Sequence, residues 1–394
     1  MTHFNKYIFL ALSIFFLNNK SNAQLSDQAQ ISLLTCAEGE DIYSLFGHSA
    51  IRVNDPVNNI DNCYNWGMFE FDSDEIVFAT KFTKGRLKYY MDEQDFGYFM
   101  MEYDYFQRTV KEQVLNLTHE QKIDLWKALK ENYLPENRVY KYDFFFDNCA
   151  TRIRDLLQNI IGDKLVLKTH PNENAYSLRE LLNKTVSHMP WLGFGMDLAL
   201  GSKVDIKADN NKMMFLPKYM YEIYTDSEVL INGKAQPLVL SERTLINGIN
   251  HEAESSFWSS PNFLFWSLFF ISIALTITKI RFLTKFWDGL LLLIFGVLGF
   301  VIFFLWFGTD HATMKPNFNV LWANPLYLFF IIPLMSKKLH NKLNKAYLGM
   351  SVLLILVIFG AMIIPQEFNS ATSPIILIFT FKFFYWYKET KRVV

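Results

Sequence analysis

The chain has no Gly-rich phosphate loop, no dinucleotide fingerprint and no convincing set of metal ligands, so neither a cofactor nor a metal is expected. It has no internal repeat and no low-complexity linker. An excess of positive charge is missing from most of its length. Residues 259–394 hold 12 Lys+Arg and 4 Asp+Glu, which leaves 26 and 35 for residues 1–258. That acidic balance argues against nucleic acid as a partner. Cysteine is scarce as well. Cys36, Cys63 and Cys149 make an odd count, so in an oxidising compartment one thiol is left over. A pairing of Cys36 with Cys63 would leave Cys149 free, and a free thiol outside the cytoplasm is costly to keep unless it is used.

What the sequence does contain first fixes its compartment. Lys6, the apolar run YIFLALSIFFL at 7–17 and Ser21-Asn22-Ala23 have the layout of a secretory signal peptide with cleavage after Ala23. About 235 residues follow before the composition changes, enough for one well-packed domain. From Pro261 onward, apolar runs lie near 262–278, 286–308, 321–335, 346–364 and 374–387. The first four fit membrane helices, which need roughly 20 residues with tolerance for fewer. The fifth is interrupted by Lys382, which could snorkel to a nearby end. Five spans, or four and an interfacial helix, are both open. Lys279, Arg281 and Lys285 lie in the first link, Lys337, Lys338, Lys342 and Lys345 in the third, and Lys388, Lys391 and Arg392 at the end. The positive-inside rule puts those segments in the cytoplasm and residues 24–258 outside, as the signal peptide independently requires.

Within the outer domain, YDFFFDNCATRIRDLL (142–157) places Cys149 between an extended-looking aromatic run and a helix. Ile153, Leu156, Leu157, Ile160 and Ile161 recur at helical spacing, Gly162 stops the helix, and Asp147 or Asn148 can cap its start. A cysteine in the first turn meets backbone N–H groups and a helix dipole that favour the thiolate, and the same N–H groups can serve an oxyanion. The alternative is a small hydrophobe packed in a core.

A nucleophilic thiol needs a base. His119 follows the helix cap Thr118, His170 and His188 lie in loops, and His251 sits close to the membrane segment. His48 differs. It opens GHSAIRV at the head of a strand, before the turn cluster NDPVNNID. The second arm of that hairpin, NCYNWGMFEFD (62–72), offers Asn65, Glu70 or Asp72 to orient an imidazole, with Asn65 favoured. A histidine merely capping a strand is the bland reading. Arg152 lies a turn beyond Cys149 and can bind a lipid phosphate or form an ion pair with Asp155 or Glu136. In the outward link GTDHATMKPNFNVLWANP, His311, Asn317, Asn319 and Asn324 can contact headgroups, seat the outer domain or simply face solvent. SLRELLNKTV reads as a helix. LGFGMDLALGS reads as a turn or membrane-facing lobe, and 228–246 as short strands around ING.

A strand histidine followed about a hundred residues later by a cysteine at a helix start resembles circularly permuted papain-like folds, among them the lecithin–retinol acyltransferase group. More closely, SLLTCAEGEDIYSLFGHSAIRV (32–53), YNWGMFEFD (64–72), KGRLKYYM (84–91), EQVLNLT (112–118) and ENRVYKYDFFFDNCATRIRDLL (136–157) resemble the Lnb family, the lipoprotein N-acyltransferases of Bacteroides-type bacteria. HATMKPNFNVLWANPL (311–326) resembles that family's membrane half.

The resemblance implies an α+β, permuted papain-like periplasmic domain (24–258) after a signal peptide (1–23), then an all-α polytopic domain (259–394) in the inner membrane. It implies a cysteine acyltransferase. Cys149 would take an acyl chain from a phospholipid donor, with His48 as base, and the α-amino group of a lipoprotein's diacylglyceryl-cysteine would accept it. Arg152, His311 and Asn319 are the expected substrate-binding residues. A cell-wall peptidase or amidase of the same thiol fold is one rival. A non-catalytic membrane assembly factor is another.

Overall fold

A computed structural model describes residues 24–70, 74–249, 256–278 and 280–391. The expected signal peptide, Asp72, His251, Lys279 and Arg392 lie outside the described residues.

Alternating side chains build the outer domain's main sheet. β1 (Gln30–Cys36), β2 (His48–Asp55) and β3 (Ile60–Phe69) form an antiparallel meander, extended by β4 (Tyr89–Asp95) after helix α1 (Glu75–Thr83). Helix α2 (Phe96–Tyr105) leads to β5 (Val110–Leu115), which returns to the free side of β1. Helix α3 (His119–Tyr133), the short β6 (Val139–Tyr140) and helix α4 (Cys149–Ile161) follow. With β10 (Val239–Ile246) at one edge, the order in the seven-stranded sheet is β10-β5-β1-β2-β3-β4-β6. Ile31, Leu33, Ile51, Val53, Tyr64 and Trp66 join the core shared with α3 and α4. Leu34, Cys36, Ala50, Cys63 and Val110 pack instead with Phe99 and Tyr103 of α2. Period-two alternation thus divides one sheet between two cores.

The rest of the outer domain comprises β7 (Leu165–Val166), α5 (Leu178–Thr185), α6 (Pro190–Ala199), α7 (Asn210–Met213), α8 (Pro217–Asp226), β8 (Glu228–Ile231), β9 (Lys234–Pro237) and β10 (Val239–Ile246). β8 and β9 are the strands expected around ING, and they pair with β7 in a second, three-stranded sheet.

All three cysteines are free and buried, so Cys36 and Cys63 are not paired. Register gives the reason. Cys36 pairs with His48 and Cys63 with Arg52, on opposite sides of β2. Two strand spacings of about 4.8 Å separate them, beyond the roughly 7 Å that a disulfide tolerates between Cα atoms.

The C-terminal region is helical: α9 (Pro261–Thr278), α10 (Arg281–Phe307), α11 (Tyr327–Met335), α12 (Lys337–Lys342), α13 (Asn344–Gly360) and α14 (Thr372–Lys391). Among the described residues α9 and α10 are long and apolar enough to span a bilayer by themselves, and α13 is a shorter apolar helix. Of the third apolar run, Tyr327–Met335 forms α11, which contains Pro333, and the basic α12 follows it. Lys382 does not snorkel. It is 1% exposed and pairs with Asp288 of α10 at 2.6 Å, with Thr276 of α9 accepting a second bond at 2.6 Å. An interior partner is the other way to hold a charge at that depth, and it ties three helices together.

The two regions meet through α6, the LGFGMDLALGS segment, which is a helix and not a turn. Phe194 is buried in the membrane-domain core, Leu198 packs against that core, and the Trp191 indole donates to the Ser259 carbonyl at 2.6 Å. Beneath it lies Arg179, 1% exposed, which donates to Asp205 (2.6 Å), Asp197 (2.9 Å) and the Leu200 and Gly201 carbonyls. Asp197 also accepts from Asn183 and, at 2.8 Å, from Asn369 of the α13–α14 loop. The α10–α11 loop completes this seat. Asn317 donates to the Leu198 and Ala199 carbonyls, and Asn319 to the Asp197 carbonyl.

Candidate active site

Helix α4 starts where the spacing placed it, and Asn148 supplies the cap. Its side-chain oxygen accepts from the Ala150 and Thr151 amides at 3.0 and 2.9 Å, and the Thr151 hydroxyl accepts from the Asn148 amide. Ile153, Leu157 and Ile161 are the buried stripe. The preceding YDFFF is a turn and not a strand. The Asp143 carboxylate accepts from the Phe145 and Phe146 amides at 3.0 and 3.1 Å, a local side-chain bond that competes with strand pairing. Asp147, the other expected cap, is occupied by Arg152.

Cys149 is 8% exposed. Its sulfur lies within hydrogen-bonding reach of the Ser49, Ala150 and Cys149 amides. Burial pushes the thiol above its ordinary range, and those three amides offset it only in part. The helix start therefore does not yield a standing thiolate, contrary to expectation.

His48 belongs to the residue pair immediately before that Ser49 amide. Gly47 makes the approach possible: its φ is +75°, and a Cβ there would come 2.7 Å from the Cys36 carbonyl. His48 Nε2 lies 3.1 Å from Asn65 Oδ1. An amide oxygen only accepts, so this contact fixes the proton on Nε2 and leaves Nδ1 as a lone pair. Asn65 faces Ala50 across the β2–β3 pair, which sets its side chain on the same side of the sheet as His48. Desolvation lowers the imidazole to about 4, despite the Asn65 bond that favours its charged form. Thiol and imidazole are therefore both neutral.

Two features were not legible in the sequence. Gly67, at φ +91°, sits in a bulge of β3 between Trp66 and Met68. A Cβ there would lie 4.0 Å from the Cys149 Cβ and 4.0 Å from the Tyr140 hydroxyl, so thiol and phenol flank one bare patch of backbone. The Tyr140 hydroxyl is buried and its proton has no acceptor among the described residues. Burial holds that phenol far above its normal range, so it keeps its proton.

The remaining residues sort by location. Arg152 makes a two-point pair with Asp147, with Nη2 to Oδ2 at 2.8 Å, and stacks on the Tyr140 ring; neither Asp155 nor Glu136 is its partner. The pair lines a cleft of about 480 Å³ with Trp66, Phe146 and Leu156. Asn319 is 2% exposed, and its amide is engaged by the Asp197 carbonyl and the Trp322 indole. Burial closes it to a lipid, so it seats the domain and does not line a substrate site. His311 is on the outer domain's flank, its Nε2 3.1 Å from the Phe82 carbonyl. His119 and His170 are engaged elsewhere, by Asp27 at 3.3 Å and Glu222 at 3.2 Å.

The family model of the Lnb N-terminal periplasmic domain matches residues 18–184, and that of the Lnb transmembrane domain matches residues 252–393. Both halves of one architecture occur in order over most of the chain. The chain belongs to the Lnb family. Like the family, it joins a periplasmic α+β domain to a helical anchor in the inner membrane. Membership makes it a membrane protein of lipoprotein processing. No curated protein and no solved structure matches it.

Proposed function

We propose that this Lnb protein is a lipoprotein N-acyltransferase that carries the acyl group on Cys149. The observation that supports this best is a buried thiol at a capped helix start, its sulfur within reach of the amide of Ser49, the residue that follows His48 in β2. In this reading the Cys149 sulfur attacks the ester carbonyl of a phospholipid while His48 Nδ1 takes the thiol proton. The tetrahedral oxyanion is met by the Tyr140 hydroxyl and the Cys149 amide. Collapse breaks the ester C–O bond, the lysolipid oxygen recovers the proton from His48, and a thioester remains. The α-amino group of a diacylglyceryl-cysteine then attacks, passing its proton to His48, and the thiol leaves protonated.

Membrane attachment favours lipid substrates. Drawing an acyl chain into water costs about 0.8 kcal/mol per CH₂. A site held at the bilayer surface avoids that cost, whereas a cell-wall peptidase gains little from a membrane bundle. The seat formed by Asn317, Asn319 and Asn369 under α6 is consistent with a fixed orientation to the bilayer.

The test is the state of lipoprotein N-termini in cells that depend on this protein. With Cys149→Ala, mass spectrometry should find free α-amino groups although the protein still reaches the membrane. Normal N-acylation in that strain would overturn the assignment and favour an assembly role. Release of muropeptides by the wild-type protein would favour the amidase rival.

A further inference from the structure

We propose that helix α1 and the aromatic rings behind it form the track by which a membrane phospholipid's acyl chain reaches Cys149. This rests on the reading of Cys149 as the acyl acceptor. Helix α1 buries none of its residues, although Ile76 is 78% exposed and Phe82 53% exposed. Asp74 caps it through the Ile76 and Val77 amides, so it is a formed helix, and among the described residues its Ile76 and Phe82 side chains are exposed.

Its position supplies the cover. The Phe82 carbonyl meets His311, the Asp310 amide donates to the Lys84 carbonyl at 2.9 Å, and Arg86 pairs with Asp310 at 2.7 Å. His311 lies four residues past Phe307, where the membrane helix α10 ends. Four residues reach at most about 14 Å, so the C-terminal end of α1 stands at the headgroup level of the outer leaflet.

From there the rings are continuous. Phe82 stacks on Phe78 at 6.4 Å, Phe78 meets Phe69 at 6.0 Å, Phe69 meets Tyr89 at 5.5 Å, and Tyr89 stacks on Tyr142 at 4.4 Å. Tyr142 ends 3.4 Å from the Cβ position of Gly67, which is itself 4.0 Å from the Cys149 Cβ. An unbroken apolar path from the leaflet to the sulfur suits a long hydrocarbon chain, because each methylene kept from water saves about 0.8 kcal/mol. KFTKGRLK, residues 81–88, adds four cations and no acid at the membrane end of an otherwise acidic domain, and Arg86 among them is paired with Asp310. That charge suits the phosphate of the same lipid.

The full-length Cys149→Ala protein in nanodiscs tests this with phosphatidylethanolamine bearing a diazirine-ended palmitoyl chain. Irradiation should label peptides containing Phe69, Phe78, Tyr89 and Tyr142, besides the membrane helices. Adding Phe78→Asp and Phe82→Asp should cut labelling at Tyr142 roughly tenfold, with labelling of Pro261–Thr278 as internal reference. Where that variant fails to fold, Ile76→Asp at the exposed face gives the same reading. Label confined to residues 261–391, or unchanged at Tyr142 in the variants, would overturn the track. Labelling needs no transfer chemistry. A labelled track without Cys149-dependent N-acylation would therefore support the track and overturn only the acyl-acceptor reading.

Discussion

Arg179 and Cys149 are both buried in the outer domain, but their surroundings are opposite. The Arg179 guanidinium donates to two carboxylates and three carbonyls. Around Cys149 the hydrogen-bonding capacity is left open: an uncharged thiol and, across Gly67, a phenol proton with no acceptor among the described residues. A satisfied buried network holds pieces together. An unsatisfied one is stable only because the fold around it forces it, and it gains its missing partner when a transition state arrives. The first joins the domain to the membrane, and the second is where chemistry is expected.

The contrast can be broken by mutation. His48→Ala should lower the transfer rate by roughly 10²–10⁴ with little change in the unfolding midpoint of the full chain in detergent. A rate within a few-fold of wild type would remove His48 from the mechanism. Arg179→Ala should do the reverse. Leaving Asp197 and Asp205 buried and unpaired should cost about 3–5 kcal/mol, measured by chemical unfolding. A loss below about 1 kcal/mol would mean the seat is not a joint.

Tyr140→Phe separates the two kinds of burial most cleanly. It should slow transfer by roughly 10²–10³ at unchanged stability, since no bond from its proton is lost. Equal effects on rate and stability would make Tyr140 structural.

The acidity of His48 sharpens the same point. Its folded value of about 4 is below the ordinary 6.5, so between those values the unfolded chain binds more protons. Its contribution is complete above about pH 6.5 and declines as pH falls through 4, by roughly 3 kcal/mol in all. The acid limb of the pH–rate profile should accordingly lie near 4. A limb at an ordinary histidine value, abolished in His48→Ala, would show that His48 is more hydrated than its surroundings indicate. The smallest effect is expected at Arg152. Its half-exposed pair with Asp147 contributes at most about 1 kcal/mol. Should Arg152→Ala instead weaken donor use more than tenfold at unchanged stability, the phosphate reading of that residue would stand.

Local patterns survived the passage from sequence to structure, as did the His48–Asn65 contact across one hairpin, whereas contacts between elements farther apart were not legible. The Asn148-Cys149 helix start, the GHSAIRV strand, the hairpin around ING and the helix after Ser177 were legible because spacing and caps act within a turn or two. YDFFF misled because Asp143 competes for its own neighbours' amides. Whether Cys36 and Cys63 pair was left open because it turns on strand order, which no spacing encodes. Lys382 was read as snorkelling because its partner, Asp288, lies in another helix. Tyr140 was missed for a related reason. A phenol without an acceptor is a property of the assembled site, and the sequence shows only a tyrosine in a tyrosine-rich stretch.

The central claim is that an acyl group rests on the sulfur of Cys149. Rapid quench of the working enzyme with phospholipid, followed by peptide mass spectrometry, tests it most directly. The account predicts a hydroxylamine-labile acyl mass on the Cys149 peptide that disappears when lipoprotein acceptor is added. No adduct there under turnover, with N-acylation still proceeding, would contradict it.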